Sequence, residues 1–181
     1  AVPGFGRQQQ RRLRAATVVV AGVGGVGGAT ATYLAAAGVG RLVLIHPGPL
    51  DPEDLNRQTL MRPEAVGTAR VACAARTLRA HHPDVTVETL DCDLADDRVP
   101  AVIAEATLVV DARHNFPERY LINEGCVRAG VPLVVAAMTA TEGQLLVVPP
   151  GGACLRCVFG AGDPDWAPLG FPVLGAVAGT V

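Results

Sequence analysis

Lysine is missing from this chain: all fifteen basic residues are arginine. Any mechanism that needs a lysine amine is therefore excluded. No apolar run reaches the ~18–20 residues that a bilayer-spanning helix requires, and no signal peptide opens the chain, so no membrane role is expected. A basic stripe is also lacking. The formal net charge is -2 and the isoelectric point is near 6.1. Arg11, Arg12 and Arg14 read as a short solvated cluster, so no nucleic acid is expected as a partner. Internal repeats and low-complexity segments are absent. Charge is sparse, at 18% of residues against 50% hydrophobic, which excludes disorder and provides for a buried core. The five cysteines are odd in number and do not have the spacing of a disulfide framework, which points to a cytoplasmic setting. A length of 181 residues favours a single domain over 1–181. The start lacks an initiator methionine, and the end, Val173 to Val181, reads as the beginning of a helix. Residues are expected to be missing on both sides.

Strand and helix signals alternate along the chain. Residues 9–16 predict a short helix leading into Thr17–Ala21, a fully apolar β-branched strand of the kind buried on both faces in a parallel sheet. After a glycine loop at 22–28 comes an alanine-rich helix that ends at Gly38. Arg41–His46 predicts a second strand, 64–81 an amphipathic helix with Val66, Val71 and Leu78 among its apolar positions, and Val85–Leu90 a third strand. Thr107–Asp111, a helix over about 115–130, then Val131–Ala136 and Gln144–Val148 complete the pattern. The fold class is α/β, Rossmann-like, with a mainly parallel sheet and helices on both faces.

Gly22-Val23-Gly24-Gly25-Val26-Gly27 stands between the first strand and its helix. In this G-x-G-x-x-G arrangement the first glycine permits a tight turn, the second lets a phosphate approach the backbone, and the third lets helix and sheet pack closely. The helix N-terminus offers free N–H groups and a positive dipole end to an anion. Nucleotide binding over this loop is the expectation. A dinucleotide redox site places Asp or Glu at the end of the second strand to hold ribose hydroxyls. This chain has His46 there.

Further stretches narrow the reading. Pro3-Gly4-Phe5-Gly6 precedes the first strand, and Asp54-Leu55-Asn56-Arg57-Gln58 follows the second. Asp111-Ala112-Arg113-His114-Asn115 begins a motif that runs on to Asn123 after the fourth strand, and Cys154-Leu155-Arg156-Cys157 closes a later one. Together with the glycine loop, their order resembles the ThiF/MoeB/HesA family, relatives of the ubiquitin-activating enzymes, over about residues 3–181.

The resemblance implies an adenylyltransferase. Such a domain binds Mg-ATP over the glycine loop, adenylates the C-terminal carboxylate of a ubiquitin-like or sulfur-carrier protein or peptide, and works as a homodimer. Carried over residue by residue, it implies nucleotide contacts at Gly22, Gly24, Gly25 and Gly27, with Asn56 and Gln58 in the arginine motif and Asp111 and Asn115 in the turn after the fourth strand. Arg57 takes the phosphate-binding place. Four positions depart from the family pattern. His46 stands for the ribose-binding Asp, Asp54 for an Asn, Arg70 for the ATP-contacting Lys, and His114 for the Asp that engages magnesium. Arg70 keeps its charge in a different geometry. Asp54 is expected to add negative charge near the phosphates. His114, an imidazole in a place suited to hard oxygen, puts magnesium dependence in question. Arg57, Arg70 and His114 are the candidate catalytic residues.

Cys154 and Cys157 match the first half of the family's structural zinc site, whose second half lies beyond residue 181. Cys73 and Cys126 are expected as small core residues and Cys92 as a loop or strand-end residue. The family's mobile catalytic cysteine falls near Pro168, where there is none. His81 and His82 are expected to face solvent, and Asp163, Asp165 and Trp166 to sit in a loop that either gates substrate or is plain surface. Two other readings stand beside the adenylyltransferase: a catalytically degenerate member serving as a carrier-binding scaffold or partner subunit, and an NAD(P)-binding redox domain.

Overall fold

A computed structural model describes residues 2–160 and 173–181. Its centre is a six-stranded sheet in the order β3-β2-β1-β4-β5-β6. The strands are β1 (Thr17–Ala21), β2 (Arg41–Ile45), β3 (Thr86–Leu90), β4 (Leu108–Asp111), β5 (Leu133–Thr139) and β6 (Glu142–Val148). The first five run parallel, and β6 turns back antiparallel to β5. The helices are α1 (Arg7–Ala15), α2 (Gly25–Ala37), α3 (Arg70–His81), α4 (Val99–Ala104), α5 (Phe116–Ala129), α6 (Leu155–Phe159) and α7 (Gly175–Ala178).

The apolar run of β1 is explained by burial on both faces. Val18 and Val20 pack with Ala31 and Ala35 of α2 and with Val71, Ala74 and Leu78 of α3. Val19 and Ala21 point the other way, into a cluster with Ile103 of α4 and Ile122 and Cys126 of α5. Helices thus cover both faces, as expected of an α/β Rossmann-like sheet. Cys73 and Cys126 are buried in these two clusters, and burial pushes the Cys126 thiol up to about 12. Cys92 is half-buried just past β3.

β1 lies between β2 and β4, so chain order runs one way from β1 to β3 and the other way from β4 onward. At such a reversal the loops after neighbouring strands diverge and leave a crevice at the carboxyl ends. The loops after β1, β2 and β4 all open there.

Several boundaries correct the sequence reading. The helix expected over 64–81 begins only at Arg70. Residues Pro63–Ala65 form a short 3₁₀ turn, and Gly67 takes a left-handed conformation at φ +83, which no continuous α-helix accommodates. Val66 therefore lies outside the helix and is exposed. α4, a helix of six residues, is too short to leave a periodic signal. β5 and β6 extend toward each other and close as a hairpin around Ala140, at φ +47. His81 is exposed, as expected, whereas His82 is half-buried.

Candidate active site at the carboxyl ends of the strands

The glycine loop forms the floor of the crevice. Gly22 sits at φ +96, and a Cβ on it would lie 2.7 Å from the Ala112 carbonyl oxygen. A Cβ on Gly27 would come within 1.7 Å of the Gly22 carbonyl oxygen. These two glycines let β1, the β4 turn and α2 approach one another. Gly24 differs: a Cβ there would meet only Gln58 Nε2, at 3.8 Å. Its bareness is not needed for packing and leaves open backbone facing the cleft. Gly25 carries a neighbour of its own, since a Cβ on it would be 2.8 Å from Cβ of Ala178 in α7.

The cleft has a volume of about 1330 Å³. Gly24, Gly25, His46, Asp54, Arg57, Gln58, Arg70 and His114 line one part of it, and Met138, Leu145, Val158 and Phe159 line another. A polar, arginine-bearing end thus grades into an apolar end formed by the β5–β6 hairpin and α6.

The polar end is organised around Asp54, which is buried at 6% exposure. It stands in the 3₁₀ turn Pro52–Asn56 after β2. Its Oδ1 accepts from Arg57 Nη2 at 3.1 Å and from Gln58 Nε2 at 2.6 Å. Its Oδ2 accepts from Arg70 Nη2 at 2.7 Å and from the Asp51 N–H at 3.2 Å. Asp54 thus places its carboxylate at this end of the cleft, paired with the guanidinium groups of Arg57 and Arg70. Arg57 also donates to the Glu53 carbonyl and to Asn56 Oδ1, at 2.9 and 3.0 Å. Arg70 also donates to the Pro49 carbonyl at 2.7 Å. Two polar atoms at this end, Arg70 Nε and Gln58 Oε1, are buried with no hydrogen-bond partner among the described residues.

His46 follows β2 and is buried at 9% exposure. Its Nδ1 faces the Val23 N–H at 2.9 Å, and its Nε2 faces Arg70 Nη1 at 2.8 Å. Burial, with Arg113, Arg70 and His114 adding to it, lowers its pKa to about 2, so the ring is neutral. A neutral ring has one lone pair, yet two donors converge on it, and only one of them makes a hydrogen bond at a time.

Behind the loop, Asp111 ends β4 at 0% exposure. Its Oδ1 accepts from the Arg113 N–H at 2.9 Å, while Oδ2 has no hydrogen-bond partner among the described residues and lies 3.8 Å from Arg119 Nη1. Burial raises its pKa to about 6 against the pull of Arg119. Asn115 caps α5, with its Oδ1 accepting from the Glu118 N–H at 2.9 Å. Arg113 forms a fork with Glu118 at 2.8 and 2.9 Å. His114 reaches solvent from the cleft wall, and the partial loss of water around its ring, then Arg113, hold its imidazole below the ordinary range.

Arg119 was not singled out from sequence. It is buried, donates to the carbonyls of Arg113 and Ala136, and tethers the β4 turn to β5. It shares the stripe Arg119, Ile122, Asn123, Cys126, all buried on α5. A charged residue at helical spacing with apolar ones was the available signal.

Cys154 and Cys157 stand apart from this centre, with Sγ atoms 3.8 Å apart. The backbone N–H of Cys157 and the Asn123 side chain hold the Cys154 thiol down at about 7. Among the described residues no group of three or more His, Cys, Asp or Glu side chains is placed to hold a metal ion. No helix among them is long and apolar enough to cross a membrane. Asp163, Asp165, Trp166 and Pro168 lie outside the described residues.

Comparison with known proteins agrees with this geometry. The chain is 47% identical over 181 residues to protein HesA of Nostoc sp., covering 99% of this chain and 71% of HesA. It is 40% identical to the SAMP-activating enzyme E1 of Haloferax volcanii, covering 97% and 66% of the two chains. The structure of E. coli MccB with ATP superposes with a TM-score of 0.80 at 24% identity, over 94% of this chain and 53% of MccB. That likeness speaks to the fold, and this chain spans about half of the solved structure. The ThiF family model matches residues 1–180, and the chain belongs to the ThiF family.

Proposed function

We propose that the chain binds ATP with its phosphates over Gly22–Gly27 and adenylates the C-terminal carboxylate of a ubiquitin-like or sulfur-carrier protein or peptide. The observation that carries the reading is the convergence of two arginines, Arg57 and Arg70, on the crevice into which the N-terminus of α2 opens. Relatives point the same way: one is named a SAMP-activating enzyme E1, another an adenylyltransferase and sulfurtransferase.

In this reading a carboxylate oxygen attacks the α-phosphorus. The bond from that phosphorus to the bridging oxygen of the β-phosphate breaks, pyrophosphate leaves with the electron pair, and an acyl-adenylate forms. The obstacle is charge, since an anion must approach an anion. Arg57, Arg70 and the free N–H groups of α2 serve by neutralising the phosphates where negative charge develops. Neutral His46 offers ribose a hydrogen bond weaker than that of a carboxylate. Asp111, Asn115 and Arg119 hold the β4 turn and with it His114. The apolar end of the cleft suits the extended tail of a carrier.

Magnesium, when it accompanies the triphosphate, supplies charge neutralisation. Among the described residues the carboxylates lining the cleft are Asp54, with both oxygens on arginines, and Glu142. They do not form a cage of hard oxygens for it, so no step is assigned to the metal. Zinc on Cys154 and Cys157 belongs to the same proposal. Thiolates about 2.3 Å from a tetrahedral ion lie about 3.8 Å apart, the separation found here. The remaining ligands are expected beyond Val181. We take the working form to be a cytoplasmic homodimer with one domain over 1–181.

The second reading, a degenerate carrier-binding scaffold, is favoured by one observation: Asp54 occupies both arginines. An NAD(P) site is disfavoured by the missing carboxylate at His46. Thermal shift with ATP, NAD and NADP, with and without magnesium, separates the three, because a ligand that binds only the folded state raises Tm. Stabilisation by ATP together with carrier-dependent ATP–pyrophosphate exchange is the expected result. Stabilisation by NAD(P) alone, or by no nucleotide, rejects the proposal.

A further inference from the structure

Resting on the nucleotide reading, we propose that Asp54 is an internal anion that holds Arg57 and Arg70 in store, and that an incoming polyphosphate must displace it from them. Its two oxygens are divided between the two guanidinium groups, at 3.1 and 2.7 Å, so that one anion bridges both cations. The carboxylate also accepts from the Asp51 N–H and from Gln58 Nε2, which hold it in place while the arginine side chains swing.

The resting arrangement is incomplete in a way that points to a second position for Arg70. Its Nε is buried without a partner among the described residues, as is Gln58 Oε1, whose amide nitrogen also binds Asp54. Its Nη1 competes with the Val23 N–H for the single lone pair of neutral His46. When Arg70 turns to a phosphate, that competition ends. His46 then settles with its proton on Nε2 and accepts from Val23 through Nδ1, and the freed Nε2–H becomes a donor toward the cleft. Release of the arginine and uncovering of the donor are one event, so phosphate binding prepares the site for the rest of the nucleotide.

A purely structural Asp54 makes the opposite prediction, because removing it would disorder both arginines and weaken anion binding. The sign of the change decides. The expected result is that Asp54→Asn, in the full chain, binds inorganic tripolyphosphate and ATP tenfold or more tightly than wild type by calorimetry. That order of effect follows from deleting one charge a few ångströms from another anion. Equal or weaker binding by a folded Asp54→Asn protein overturns the proposal. A second measurement needs no variant at this position. In ¹⁵N-histidine-labelled wild type, with His46 assigned by its loss in His46→Gln, saturating tripolyphosphate is expected to shift both ring nitrogens toward the Nε2–H form. Ring nitrogens that do not move when the anion is bound overturn the proposal even where Asp54→Asn does not fold. The ligands distinguish the two readings. Tighter tripolyphosphate without ATP binding supports the stored-arginine device and rejects the nucleotide reading. ATP bound equally by wild type and variant rejects the device alone. No anion bound by either protein rejects both.

Discussion

Arg70 Nη2 meets Asp54 Oδ2 at 2.7 Å, joining the first residue of α3 to the turn that follows β2. The same guanidinium reaches His46 Nε2 at 2.8 Å. A cationic, a neutral and an anionic side chain thus share one corner of the cleft.

Two glycines of one loop are expected to behave differently. Gly27→Ala forces a Cβ to within 1.7 Å of a backbone oxygen, so the helix must shift, at a cost of about 3 kcal/mol or more. Gly24→Val keeps the fold but abolishes nucleotide binding by obstructing the open backbone. Chemical denaturation and ATP titration of both variants check this. A Gly24→Val protein with unchanged affinity would falsify the phosphate-loop assignment.

His46 predicts a pH dependence. Its pKa falls from 6.5 in the unfolded chain to about 2 in the fold, so the unfolded state binds the extra proton. Its contribution is complete above pH 6.5 and is lost as pH falls from there toward 2. At pH 5 the loss is about 2 kcal/mol, from a difference of roughly one and a half pH units. In His46→Gln the decline in stability between pH 7.5 and 5 is expected to shrink by about that amount. Parallel acid limbs in the two proteins would show that the ring is not held neutral.

Asp111 acts with the opposite sign. Burial raises its pKa from 3.8 to about 6, so its stabilising protonated form is lost as pH rises through 6. Arg119→Met removes the nearby cation. The expected cost is about 3 kcal/mol at pH 8, where the carboxylate is left charged and buried, and clearly less at pH 5, where it takes up a proton. Equal destabilisation at both pH values would assign Arg119 to packing alone.

The histidines in the cleft offer a gain-of-function test. His46→Asp combined with His114→Asp supplies two hard oxygen donors in place of two imidazoles. ATP affinity and carrier-dependent pyrophosphate exchange are expected to rise, with magnesium favoured over manganese or zinc. Strong magnesium-dependent exchange in the wild type, untouched by changing His114, would place the metal on another carboxylate.

For Cys154 and Cys157 the expected result is about one zinc ion per chain in a form that extends past Val181, lost on Cys157→Ser. A metal-free extended protein with both thiols reduced would end the zinc proposal.

The fold was legible wherever burial imposed a continuous requirement. Val18 to Ala21 of β1 are apolar without a break because both faces of the strand are covered, and the run could be read directly. Gly38 announces the end of α2 because only a left-handed residue closes it there. The start of α3 was misplaced because the apolar spacing carries on across Gly67, and spacing alone does not register a backbone reversal. Residues that line the cleft were legible as identities, not as relationships. That His46, Asp54, Arg57 and Arg70 belong to one site could be inferred from motif order. That Asp54 bridges both arginines depends on how the turn after β2 aims its side chains, which no local pattern encodes. Arg119 was missed for a related reason: its partners, Asp111 and the carbonyls of Arg113 and Ala136, belong to other segments.

Gly25 and Ala178 lie more than 150 residues apart in the chain, yet a Cβ on the first would be 2.8 Å from the second. The bare position at the head of α2 is therefore also the socket in which α7 seats. Any bulk added at Gly25 evicts α7 from beside Arg57, and anything that presses on the backbone there is felt first by the far end of the chain. The glycine loop and α7 cannot be altered independently: their fit is a mechanical linkage.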